Sequence, residues 1–220
     1  DEWYGVKQMA SDLKELVQHL RENWKLERFH LLGHSFGGAV GYEFLKRQTE
    51  NRNGSDRSSP QCLSFILSNA STNFEWSSSE QKRLFQEFQL QQLQTRMPVK
   101  QQQTKNLSIQ EQFFQTHICR TPEKPVGLES ALNRRHKQWS ANDYAISAAD
   151  TSTQFPPVLI IRGECDFVTQ ACTEGWREVF EGQNGYKELV IKDSAHYPHF
   201  EKPEAYSYEI EQFCSTAERP

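Results

Sequence analysis

The stretch "FHLLGHSFGGAVGYEFL", residues 29–45, constrains the fold of this chain more than any other. It opens as an apolar run of strand type, passes through Gly33-His34-Ser35-Phe36-Gly37, and continues as a helix-compatible segment. A G-x-S-x-G pattern between a strand and a helix makes a sharp turn that lifts the serine hydroxyl above the edge of a sheet. Gly33 and Gly37 are both expected to be required, because a side chain at either would meet the neighbouring strand or helix. The start of the helix brings backbone N–H groups and a positive dipole end to the hydroxyl, which makes the Phe36 N–H a candidate oxyanion donor. A serine so placed is a candidate nucleophile, and it then needs a base and an acid that orients the base.

The rest of the chain fits a sheet that could carry such a turn. Val6, Met9, Leu13, Leu16, Val17 and Leu20 recur at helical spacing ahead of it. "CLSFILSNA" (62–70), "PVLIIRG" (157–163) and "KELVIKD" (187–193) read as further strands, with a polar loop over 50–61. "CTEGWREVFE" reads as a helix and "PEAYSYEIEQFCS" as a closing helix. Strands alternating with helices predict an α/β fold with a parallel sheet covered on both faces. Residues 71–150 break this rhythm: they are polar, rich in glutamine between Gln81 and Gln115, and mostly helix-compatible. They are expected to form a helical cap inserted between two strands, with a Gln-biased linker as the alternative. Phe85, Phe88, Phe113, Phe114, Trp139 and Tyr144 favour the cap, since they supply apolar surface to pack. The resulting organisation is a first part of the core with the serine turn (1–70), the cap (71–150) and a second part of the core (151–220).

Two strand ends supply partners for Ser35. "IIRGECDFVT" places Asp166 just past the third strand, and "IKDSAHYPHFEKPE" places His196 just past the fourth. Ser35, Asp166 and His196 then stand in the chain order Ser…Asp…His, each at the C-terminal end of a strand, where open parallel sheets gather their ligands. Glu164 competes with Asp166 for the acid and His199 with His196 for the base. His196 is preferred because the small residues before it allow a tight loop aimed back at Ser35, whereas His199 lies where the last helix begins and is expected to pack there. His34 is expected to tune the turn, and His30, inside a strand, to be a satisfied core histidine.

Composition narrows the function classes. The formal charge is −4 and no long basic cluster occurs, so neither nucleic acid nor an anionic membrane is expected as a partner. No run approaches the ~20 apolar residues of a membrane span. The five cysteines, Cys62, Cys119, Cys165, Cys172 and Cys214, are odd in number, widely spaced and without CxxC. They argue for a reducing, cytoplasmic compartment rather than a disulfide framework or zinc site, and no metal or cofactor is expected. The chain begins at Asp1 without a Met, so organelle targeting stays open.

Together, "FHLLGHSFGGAVGYEFL", "FILSNASTNFEW", "THICRTPEKP", "LIIRGECDFVT" and "SAHYPHFEKPEAYSYEIEQF" resemble the proline iminopeptidase family of α/β-hydrolases. The nucleophile, acid and histidine segments are shared by many α/β-hydrolases, while "LSNAS" and "HICR" are more particular to the iminopeptidase group. The resemblance implies a serine aminopeptidase that releases N-terminal proline or other residues from small peptides or amino-acid amides through an acyl-enzyme. It also implies cap carboxylates that bind the substrate's free ammonium. "QWSANDYAIS" matches the family's "GPNEF"-like segment, with Asp143 where the family has Glu, and Asp143, His34 and Trp139 are the substrate-binding candidates.

The resemblance also implies parts that this sequence does not contain. The family carries an HGG-type loop that supplies a second oxyanion N–H, whereas the only Gly-Gly pair here is Gly37-Gly38. The fold ordinarily has about four strands before the nucleophile strand, and here none is read. The chain therefore resembles the C-terminal two-thirds of such a hydrolase, and low activity is expected of these residues alone. The strand before Ser35 is expected at a sheet edge. An esterase or amidase with the same three residues, and a non-catalytic interaction protein on a hydrolase scaffold, are the competing functions. The oligomeric state is not legible.

Overall fold

The computed structural model describes residues 5–52, 59–95, 107–133, 144–146 and 154–219. The helix read from the apolar spacing, α1 (Val6–Trp24), buries Val6, Ala10 and Val17 and ends at Lys25, whose φ of 58° turns the chain into β1 (Arg28–His34). After Ser35 the chain enters α2 (Phe36–Arg52) and then β2 (Gln61–Ser68). Between β2 and β3 the chain holds α3 (Phe74–Thr95), α4 (Ile109–Phe113), a π-helix (Phe114–Ile118) and α5 (Val126–Asn133). The core resumes with β3 (Val158–Gly163), α6 (Gln170–Phe180), β4 (Lys187–Ile191), the short α7 (Pro198–Glu201) and α8 (Pro203–Ala217).

The described strands form one sheet in the order β1-β2-β3-β4, and every pairing is parallel. The chain alternation dictates this, because each strand returns through a helix that crosses a face of the sheet. β1 is at an edge of the described sheet, with Leu32 43% exposed.

Strand alternation divides the core between the two faces. Val158 and Ile160 of β3 join Phe65 and Leu67 of β2 against Tyr42 and Phe44 of α2 and Trp176 and Phe180 of α6. Leu159 and Ile161 point the other way, with Ile66 and Ile191, against Tyr206 of α8. Tyr42 meets Trp176 edge-on at 5.3 Å, an aromatic contact that contributes about 1 kcal/mol beyond its buried area. Trp176 also donates its indole N–H to the Ala70 carbonyl at 2.8 Å, which satisfies a polar atom in the apolar layer.

Aromatic side chains of these inserted helices form a packed cluster. Phe85 and Phe88 of α3 stand edge-on to Phe113 of α4, at 5.1 and 5.9 Å between ring centres. Tyr144 packs on Phe74 at 6.0 Å and donates its hydroxyl to the Glu43 carboxylate at 3.0 Å. Ser108 and Glu111 form a reciprocal capping box that starts α4. All five cysteines are free thiols, and no described helix is long and apolar enough to cross a membrane.

Candidate active site

The turn at Ser35 follows from backbone sterics and ladder hydrogen bonds. Ser35 has φ 53°, a left-handed conformation that costs a non-glycine residue about 1–2 kcal/mol. Its N–H donates to Ser68 O at 2.8 Å, which extends the β1–β2 ladder one residue beyond β1 and fixes the position of Ser35. A Cβ on Gly33 would run into the backbone of Gly37, so a bare residue is required there. The expectation for Gly37 is corrected: a Cβ on Gly37 meets nothing within 4 Å. The second close approach belongs to Gly38, where a Cβ would collide with Ala70 Cβ and lie 2.9 Å from Leu67 Cδ2. The reason is that α2 presents its Gly38 side, and not its Gly37 side, to the end of β2.

Strand ends bring Ser35, Asp166 and His196 together. Ser35 Oγ donates to His196 Nε2 at 3.0 Å, and His196 Nδ1–H donates to Asp166 Oδ1 at 2.9 Å. These two bonds set the tautomer, with the proton on Nδ1 and the lone pair of Nε2 facing the hydroxyl. Asp166 is 3% and His196 4% exposed. A carboxylate this buried needs several donors, and Asp166 has them. Val168 N–H donates to Oδ1 at 3.0 Å and Asn69 Nδ2 donates to Oδ2 at 2.7 Å. The competing residues lie elsewhere. Glu164 accepts from the Asp193 N–H at 3.1 Å. His199 packs beside Phe200 at 4.4 Å and Tyr206 at 5.9 Å.

A buried chain of polar groups behind Asp166 has no counterpart in the sequence reading. Tyr206 OH donates to Ser68 Oγ at 2.9 Å, and Ser68 Oγ donates to Asn69 Oδ1 at 3.0 Å. Asn69 holds φ 52° and also donates to the Ala195 carbonyl at 3.1 Å, so one amide ties the acid loop to the histidine loop. "LSNAS" carried only the backbone part of the signal, an asparagine at a strand end that tolerates the left-handed region, and nothing in it pointed to Asp166 as the partner of its amide. The backbone around His196 is held as firmly. Glu201 of α7 accepts from Ala195 N–H at 2.7 Å and Tyr197 N–H at 2.9 Å.

His34 Nε2–H donates to the His196 carbonyl at 2.7 Å, joining the serine turn to the histidine loop. Burial, aided by the adjacent His196, depresses its pKa from 6.5 to about 3, although the bond to the His196 carbonyl opposes this. Burial and His196 also lower the pKa of His199. The His34 ring is therefore neutral at ordinary pH. His30 bonds Ser64 Oγ at 2.7 Å and Glu218 at 3.2 Å, as a partnered histidine of the sheet. Phe36 is the first residue of α2. Asp143 and Trp139 lie outside the described residues. Among the described residues no group of His, Cys, Asp and Glu is arranged to hold a metal ion.

A family model described as serine aminopeptidase, S33, matches residues 2–203. The fold is shared with the proline iminopeptidase of Mycobacterium smegmatis, at TM-score 0.65 and 17% identity over 96% of this chain and 72% of that one. It is also shared with an esterase from Exiguobacterium antarcticum, at TM-score 0.58 and 17% identity over 97% of this chain and 75% of that one. A proline iminopeptidase-related protein from Thermus thermophilus aligns at TM-score 0.55 and 18% identity, over 96% and 70% of the two chains. No curated protein matches the sequence. The architecture is that of an α/β-hydrolase.

Proposed function

This chain belongs to the serine aminopeptidase S33 family of α/β-hydrolases, and we propose that it is a serine hydrolase that releases N-terminal proline or other residues from small peptides or amino-acid amides. The observation that carries the reading is the continuous hydrogen-bond relay from Ser35 Oγ through both ring nitrogens of His196 to Asp166. In this mechanism His196 Nε2 takes the Ser35 proton as Oγ attacks the carbonyl carbon. Asp166 holds the ring in the required tautomer and stabilises the imidazolium that forms. The Phe36 N–H, at the positive end of α2, supports the developing oxyanion. Protonated His196 then gives its proton to the leaving amine, and water repeats the sequence on the acyl-enzyme.

The substrate class rests on the sequence match around Asp143, which would supply the counter-charge that an ammonium needs on leaving water. Trp139 and the His34 side of the turn complete the proposed substrate-binding set, with a small peptide or amide as the partner and no cofactor. The reading is tested by labelling with a fluorophosphonate and by turnover of a prolyl amide. Ser35→Ala is expected to abolish labelling. His196→Ala is expected to slow turnover by several orders of magnitude. Labelling that persists at another serine, or a His199→Ala loss that exceeds the His196→Ala loss, would overturn the assignment. Turnover of esters without any turnover of amine-bearing amides would favour the esterase reading.

A further inference from the structure

We propose that the π-helix of the cap fastens the cap to both catalytic loops, and that His117 is the positioning residue that aligns Asp166 through it. This rests on the serine-hydrolase reading above and goes beyond it, because it assigns a role to a residue outside the three that react.

Four hydrogen bonds define the π-helix and its attachments. Cys119 N–H donates to Phe114 O at 2.8 Å, the five-residue closure of a π turn. His117 Nδ1–H donates to the Cys165 carbonyl at 2.9 Å, immediately before Asp166. Phe167 N–H, immediately after Asp166, donates to the His117 carbonyl at 3.3 Å. His196 N–H donates to the Ile118 carbonyl at 3.0 Å. His117 therefore holds the residues on each side of Asp166, and the next residue holds the backbone of His196. His117 and Ile118 are the last two residues of the helix, where carbonyls have no partner within it, so both are free to accept from the neighbouring loops; π turns recur at functional sites.

The ring is itself fixed from the cap side. His117 packs against Phe113 at 5.0 Å and Phe88 at 6.3 Å. Phe114 and Ile118 line a groove of about 790 Å³ against α3, together with Phe85 and Phe113. The groove and the two catalytic loops thus share one wall. A side chain of this kind acts on rate and not on substrate affinity, because it sets where the acid stands and touches no substrate itself.

Three substitutions separate the position of the donor from the packing of the ring. His117→Phe keeps the ring and removes the donor. His117→Asn returns an N–H near Nδ1, and His117→Gln carries the same amide one bond further out. His117→Phe is expected to lower kcat for a small ester about 3- to 10-fold, the weight of one neutral hydrogen bond, with KM unchanged. His117→Asn is expected to recover most of that loss, and His117→Gln is expected to resemble His117→Phe. The fluorophosphonate labelling rate of Ser35 is expected to follow kcat. Equal rates for Asn and Gln, a loss confined to KM, or an unchanged kcat in His117→Phe would overturn the proposal. If His117→Phe does not fold, the Asn–Gln comparison decides alone. Absence of Ser35 labelling in the unsubstituted chain would instead overturn the serine-hydrolase reading.

Discussion

Replacing His34 by glutamine keeps a side-chain N–H near the place of Nε2, which donates to the His196 carbonyl at 2.7 Å, and removes a titrating ring. Burial, with His196 and His199 close by, holds the folded-state pKa of His34 at about 3 against an ordinary 6.5. As the pH falls below about 6.5 the unfolded chain takes up a proton at this residue and the folded chain does not. A depressed folded-state value means that stability is complete above the unfolded pKa and is lost as the pH falls toward the folded one. At pH ~5 the interval already covered is about 1.5 units, or about 2 kcal/mol at ~1.4 kcal/mol per unit. Solvent screening of a partly exposed ring brings the figure to about 1–2 kcal/mol. The assay is urea unfolding at about pH 7.5 and about pH 5 for both proteins, followed by tryptophan fluorescence. Other groups titrate in both proteins and cancel in the difference. The unsubstituted chain is expected to lose about 1–2 kcal/mol more than His34→Gln across this interval. Parallel losses would refute the argument that burial keeps this ring neutral.

Gly38→Ala is expected to destabilise the fold by about 1–3 kcal/mol, because its methyl must displace Ala70 or Leu67. Gly37→Ala, with open space around its Cβ, is expected to be neutral or stabilising in the same melting experiment. Ser64 bonds His30, which bonds Glu218, yet Ser64 is 0% exposed; peptide mapping after fluorophosphonate treatment is expected to find label on Ser35 and none on Ser64. Asp143→Asn is expected to lower turnover of a prolyl amide by tenfold or more, in line with ~2 kcal/mol or more for a broken buried charge pair, and to affect a neutral ester less. Equal losses on both substrates would remove Asp143 from ammonium recognition.

What the sequence determined by itself was short-range. Apolar spacing in α1 and the strand runs around Leu31, Phe65, Leu159 and Leu189 gave the alternating elements, because side-chain period follows from local backbone geometry. Gly33 before Ser35 announced the turn, since the collision that it avoids is with Gly37, four residues away. Position just past a strand end, in the order Ser…Asp…His, nominated Asp166 and His196, and the small residues before His196 favoured it over His199. Tertiary structure decided everything that depended on register between strands. It set Ser35 against His196 rather than His199, and it placed the tight contact of α2 at Gly38, where β2 delivers Leu67 and Ala70. It also brought Asn69 to Asp166 across 97 residues of chain, and the π-helix to the loops that carry Asp166 and His196. Polar contacts of this kind carry no periodic signature: a lone asparagine or histidine reads the same in sequence whether it faces water or a buried carboxylate. Only the packing of the sheet, which brings the strand ends side by side, determines which donor meets which acceptor.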